Sequence, residues 1–196
     1  MTAPATTDTG RIPGEVGIWV FVLGDMSVFA LFFSTFAYSQ ARDGSDFTRA
    51  QKQLELPFGL LNTVLLLTSS LFVAIAVHRV LQGDPRRVRQ LFVGALACGL
   101  CFLGVKALEW GQLFADGRSA GGTGGEGEMF NYYFMFTGIH ALHVVIGCIV
   151  LSRLIALDPA QPRTDNQKVL VESGGIFWHM VDLLWVVLFA LFYLTR

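Results

Sequence analysis

The sequence predicts an all-α polytopic membrane protein, a bundle of five transmembrane helices, and three observations carry that prediction. Hydrophobic residues fill 53% of the 196 positions and charged ones only 15%, whereas a soluble domain is about a quarter charged. The apolar surplus gathers into blocks longer than the ~18 residues that license a spanning helix. Most of the arginines sit in short connectors between these blocks, so there is no basic arm for nucleic acid and none is expected as a partner. The formal net charge of -1 excludes little.

Residues 1–13, rich in Thr, Ala and Pro, read as a disordered tail, with no basic n-region and no cleavage site to mark a removable signal peptide. The remainder, 14–196, reads as a single five-helix transmembrane domain. The first helix, about 16–38, carries one interior acid, Asp25, and has Trp19 and Tyr38 near its ends, where amphipathic aromatics favour the headgroup level. A polar connector, 39–55, leads to a second helix, about 57–77, opening on Pro57, a favoured first helical residue. Asn62, Thr63, Thr68, Ser69 and Ser70 give it polar groups suited to helix contacts. A basic connector with Arg79, Arg86, Arg87 and Arg89 turns at Gly83-Asp84-Pro85.

The third helix, about 88–114, holds Lys106 and Glu109, three apart and able to neutralise one another. Gly104 and Gly111 in the same helix predict close approach of a neighbour. The glycine-rich stretch 116–128 reads as a flexible acidic loop; Glu126 and Glu128 would repel a phosphate. The fourth helix, about 130–155, places His140 and His143 three apart in an otherwise apolar run. After a connector at 158–172, the fifth, about 174–194, places His179 and Asp182 at the same spacing. The two helices are therefore expected to carry matching polar stripes turned toward protein rather than lipid.

Lys and Arg on alternate sides set the orientation. One side has Arg11, Arg79, Arg86, Arg87, Arg89, Arg153, Arg163 and Lys168, and the other only Arg42, Arg49, Lys52, Arg118 and Arg196. The amino terminus is expected in the cytoplasm. Lys106 and Glu109 then fall toward the outer face, Asp25, His140 and His143 near mid-membrane, and His179 and Asp182 toward the cytoplasmic half. Cys98, Cys101 and Cys148 lie within apolar blocks, which argues for packing rather than a disulfide framework or a redox pair.

Imidazoles at His140, His143 and His179 could ligate iron, copper or zinc. Donation to backbone carbonyls or to Asp182 accounts for them without a metal. A centre with two haems and a copper needs more histidines than the four present, one of which, His78, is at a helix end. Asp25, Lys106, Glu109, His140, His143 and Asp182 are also the kinds of group that proton relays use. Pairing of Lys106 with Glu109 and of His179 with Asp182 would instead make them packing contacts.

These residues resemble subunit III of the haem-copper respiratory oxidases, including its short bacterial five-helix form. The resemblance runs from Gly17-Ile18-Trp19 through Leu61-Asn62-Thr63 with Ser69-Ser70 and through Lys106-x-x-Glu109-Trp110. Its most specific parts are Phe136-Thr137-Gly138-x-His140-x-x-His143-Val144-x-x-Gly147 and Trp178-His179-x-Val181-Asp182-x-x-Trp185. It implies an all-helical subunit, without haem or metal of its own, packed against a catalytic partner that carries haem and copper. Such a subunit supports stability and proton supply and holds phospholipid in a cleft between helix groups. Longer members carry two further amino-terminal helices. The family's usual Ser-Glu is Gly24-Asp25 here, and the Gly-Asp-Met run is similar to the branch found with nitric oxide reductases.

By this resemblance Asp25 is the intramembrane acid, Lys106 and Glu109 the outer pair, His140 and His143 the inner stripe, and His179 with Asp182 the linking pair. Asn62 joins them as a structural or lipid-related residue, and none is expected to be catalytic. The expectation is a non-catalytic accessory subunit in a bacterial plasma membrane, of a cytochrome c oxidase or nitric oxide reductase type of complex. The rival reading is an independent membrane enzyme, or a proton or ion transporter, using the buried histidines and carboxylates.

Overall fold

A computed structural model describes residues 13–42, 44–84, 86–118, 124–157 and 164–195. The described elements are α1 (Val16–Arg42), α2 (Gly44–Gln51), α3 (Leu56–Leu81), α4 (Val88–Ala115), α5 (Gly124–Ala156) and α6 (Asp165–Phe189), which runs into a π-helical turn at Ala190–Leu194. All but α2 are long and apolar enough to cross a membrane. Even α3, at 26 residues, spans about 39 Å at 1.5 Å per residue, more than the ~30 Å of hydrocarbon. The chain is therefore an all-α, multi-pass membrane protein.

Three element boundaries differ from those expected, each for a local reason. The connector at 39–55 is not irregular: α1 continues to Arg42, and α2 follows with Phe47, Ala50 and Gln51 buried against its neighbours. The acidic loop ends early, because α5 begins at Gly124 rather than near 130. Its first turn is fastened by Glu126 to Arg49 at 3.5 Å and Glu128 to Arg42 at 3.8 Å, with a further gain from acid at a helix start. Residues 119–123 of that loop, like 1–12 of the tail, Pro85 and 158–163, lie outside the described residues. Pro13, placed at the end of the expected tail, is held: its carbonyl accepts from Trp19 Nε1 at 3.0 Å. Finally, α6 starts at Asp165, nine residues before the expected Gly174, because Thr164 and Gln167 form a reciprocal capping box.

The core is a ring of four helices in which α3 packs on α4, α4 on α5, α5 on α6 and α6 back on α3. Glycines set the close approaches. A Cβ at Gly147 would lie 2.6 Å from the Trp178 ring and one at Gly99 2.9 Å from it, so the buried indole occupies space that α4 and α5 leave by having no side chain there. Gly175 lets α6 approach Val77 of α3 in the same way. Gly104 and Gly111 set no close approach within the chain: among the described residues neither would meet anything within 4 Å, because both lie on the outward side of α4. Hydroxyls do cross between helices as anticipated. Ser69 donates to the Ala95 carbonyl at 2.9 Å, and Thr63 accepts from Trp185 Nε1 at 3.0 Å.

Helix α1 stands apart from this ring. Only 6% of its membrane-crossing stretch is buried within the chain, against 61% for α6. Phenylalanines fill the space between: Phe32, Phe33 and Phe36 of α1 meet Phe136 and Tyr132 of α5 and Phe192 of the π-helical turn, and Phe29 meets the ring of His143 on α5. Such rings hold two backbones apart while keeping apolar contact.

Candidate functional site

The ionisable side chains predicted from sequence form three groups at different depths of the bundle. The first sits where α4 and α6 finish and α5 begins. Lys106 and Glu109, one turn apart on α4, are paired at 2.9 Å as expected, and both are buried. The ammonium also donates to Tyr133 Oη at 2.8 Å and to Tyr193 Oη at 3.2 Å, so each of its three protons has an acceptor. Tyr193 donates in turn to the second oxygen of Glu109. The Nζ lies 4.7 Å from the Tyr133 ring centre and 5.0 Å from that of Trp185, an aromatic lining for the cation.

Neither tyrosine was singled out in the sequence. Tyr193 comes from the π-helical turn, which widens the last turn of α6 and so resets the direction of every side chain in it. A regular continuation of α6 would aim position 193 differently. Beside the cluster, Gln51 of α2 donates to the Leu191 carbonyl at 3.0 Å, tying α2 to that same turn.

The second group lies between α1 and α5. His143 Nε2 is 3.2 Å from Asp25 Oδ1, and its Nδ1 donates to the Ile139 carbonyl at 2.8 Å. The contact therefore needs a second proton, either on Nε2 or on the carboxyl group. His140 does not share this face. Three positions is short of a full turn, so His140 turns into the four-helix ring, fully buried, with ring centres 5.6 Å from Phe102 and 5.3 Å from Trp185. Neither of its nitrogens has a hydrogen-bond partner among the described residues, nor has either amide atom of buried Asn62 on α3.

The third group joins α3 to α6. The expected direct contact of His179 with Asp182 is replaced by an arrangement through Ser70 of α3. His179 Nδ1 is 2.6 Å from Ser70 Oγ, and the Asp182 carboxyl stands beside that same hydroxyl. The reason is rotational: on α6 Asp182 is buried whereas His179 is exposed, so the two side chains straddle α3 instead of meeting. The matching stripes on α5 and α6 are thus not found. His143 turns to α1, His140 to the core and His179 to α3.

Among the described residues no three His, Cys, Asp or Glu side chains come together as a metal-holding set. What the geometry offers chemically is fixed charge and hydrogen bonding. One cluster is closed on itself, one is a pair spanning a loosely packed helix, and one has an imidazole facing out of the chain.

The family described as cytochrome c oxidase subunit III matches residues 7–195. The chain is 27% identical over 185 residues to cytochrome c oxidase subunit 3 of Ornithorhynchus anatinus, covering 90% of this chain and 67% of that one. To quinol oxidase subunit 3 of Bacillus spizizenii it is 28% identical over 191 residues, covering 96% and 89%. To heme-copper oxidase subunit I+III of Aeropyrum pernix it is 27% identical over 184 residues, covering 91% of this chain and 22% of that far longer one. A match spanning almost the whole of the five-span fold, with the Lys106 and Glu109 pair formed as the resemblance implies, decides the assignment: the chain belongs to the cytochrome c oxidase subunit III family.

Proposed function

We propose that this chain is a non-catalytic accessory subunit of a respiratory haem-copper oxidase complex, of the cytochrome c oxidase or nitric oxide reductase type. It packs beside a catalytic subunit that carries the haem and copper, and it supports that subunit's stability and proton supply. The observation that carries the reading is the family match across nearly the whole chain. The Aeropyrum pernix relative, whose name combines subunits I and III, supports a subunit I as the partner. The interior is consistent with a supporting role: Lys106 and Glu109 are fully engaged with Tyr133 and Tyr193, and the charges hold helices together.

The five spans act as one unit in a bacterial plasma membrane with the amino terminus in the cytoplasm, on the strength of the Lys and Arg imbalance. Asp25, Asn62, His140, His143, His179 and Asp182 serve packing or lipid contact. The outward face of α1, with little of it covered by its own chain, supports phospholipid as a further partner. Affinity purification of the tagged chain from membranes in mild detergent tests the reading. A haem-bearing polypeptide should co-elute in fixed ratio. Elution of the chain alone, from membranes where the oxidase is abundant, would refute it.

A further inference from the structure

Helix α1 is tied to the bundle at its two ends and at one point between them. At its start the Gly14 N–H donates to Glu172 Oε2 at 2.8 Å and the Glu15 N–H to Ser173 Oγ at 3.0 Å. At its finish Ser39 Oγ meets Tyr132 Oη at 3.1 Å, and Arg42 lies 3.8 Å from Glu128. The hydroxyls of Ser27, Ser34 and Thr35 are spent on carbonyls of α1 itself. Among the described residues, Asp25 with His143 is therefore the one polar link from the intervening stretch to another helix. The remaining contact there is made by side chains, with only 6% of the crossing stretch buried.

The chemistry of that link is fixed by its far side. His143 Nδ1 is 2.8 Å from the Ile139 carbonyl oxygen, and a carbonyl only accepts, so Nδ1 carries a proton in every state of the ring. Nε2 faces Asp25 Oδ1 at 3.2 Å. A neutral ring would set its Nε2 lone pair against a carboxylate. The contact becomes attractive when one further proton lies between the two atoms, on Nε2 or on the carboxyl, and the pair then titrates as a unit. Asp25 Oδ2 is buried with no partner among the described residues, so nothing else on the page holds the carboxyl group in place. Both side chains keep a little exposure, 15% for Asp25 and 11% for His143, which leaves the proton a way in and out. No other charged side chain pairs with either of them among the described residues. On α5 His140 turns into the four-helix ring; on α6 the Phe177 ring faces the imidazole, while His179 is turned to α3; on α4 Lys106 is engaged by Glu109.

We propose that Asp25 and His143 form a binding site for one proton, and that this proton latches α1 to α5. With it, the two helices are joined between the ends of α1. Without it, the carboxylate and the Nε2 lone pair repel, and this part of α1 draws away from α5 while both ends stay tied. Raising the pH therefore opens the latch. The inference goes beyond the accessory role and does not depend on it.

The test is a distance measurement by pulsed electron paramagnetic resonance on the full chain in phosphatidylcholine nanodiscs. Nitroxides are attached through a keto amino acid introduced at Val28 and Leu142, both exposed, so that the native cysteines stay. From acid to alkaline pH the distance should lengthen by at least about 2 Å, the scale of a helix shift. Asp25→Leu should hold the long distance at every pH. Asp25→Asn, whose amide can donate to a neutral Nε2, makes a weaker contact that needs no added proton, and should hold the short distance at every pH. A distance in the unsubstituted pair that does not move with pH would overturn the proposal. So would the same pH-dependent lengthening in Asp25→Asn or in Asp25→Leu, which would place the titrating group elsewhere.

Discussion

The Lys106 cluster and the His179 cluster are built from similar side chains and finished differently. Around Lys106 every donor of the ammonium meets an oxygen of the same chain, the group is buried, and aromatic rings line it. Around His179 one nitrogen is engaged and the side chain is exposed, while one oxygen of Asp182 is buried without a partner among the described residues. A closed network stabilises the polypeptide that contains it, since each buried polar group is satisfied at home. An open one is completed by something else. The difference separates residues that hold this chain together from residues that face its surroundings.

The strongest way to break the comparison is to open the closed cluster. Lys106→Met leaves Glu109 charged and without its cation, and loss of one partner of a buried pair costs about 3–5 kcal/mol. Unfolding of the purified chain in mild detergent should show this, and the double variant Lys106→Met with Glu109→Leu should recover much of the loss. Packing should come next. Gly147→Ala would press a methyl group into the Trp178 ring, at about 1–3 kcal/mol for overpacking. Gly104→Ala and Gly111→Ala, which meet nothing within 4 Å, should leave the same melting curve unchanged or raise it slightly, by less than about 1 kcal/mol.

Smaller again is Asp25→Asn, which weakens the contact to His143. Intramembrane pairs average about 0.6 kcal/mol in double-mutant cycles, so a loss of that order is expected in a cycle with His143→Ala. The smallest effect on the isolated chain belongs to His179→Ala, about 0.6 kcal/mol or less, because that side chain is exposed and makes one hydrogen bond. If His179→Ala destabilised the chain as much as Lys106→Met, the distinction between closed and open clusters would collapse.

The sequence revealed the five spans and the Lys106 and Glu109 pair, because block length and spacing along one helix are local properties. It was less informative wherever a residue's partner is far along the chain. Tyr133 and Tyr193 meet Lys106 only through tertiary packing, and the π-helical turn that aims Tyr193 has no local signature. Ser70 is one hydroxyl among several on its helix, and its contact with His179 follows from how α3 docks on α6. Some missed features were legible in principle. Thr164-x-x-Gln167 is a capping-box pattern that marks the true start of α6, and Phe47 and Ala50, buried three apart, mark the face of α2 that meets the core. Gly104 and Gly111 are the opposite case: a small residue permits close approach without requiring it, and within the chain neither sets one.

The central claim is that these buried polar groups hold helices and a neighbour in place while redox chemistry happens in another polypeptide. Its most direct test is optical and metal analysis of the chain purified with its partner and again after separation. The account predicts a haem Soret band in the first preparation, and in the second neither that band nor stoichiometric metal nor turnover. A Soret band, a stoichiometric metal or catalytic turnover retained by the separated chain would contradict it.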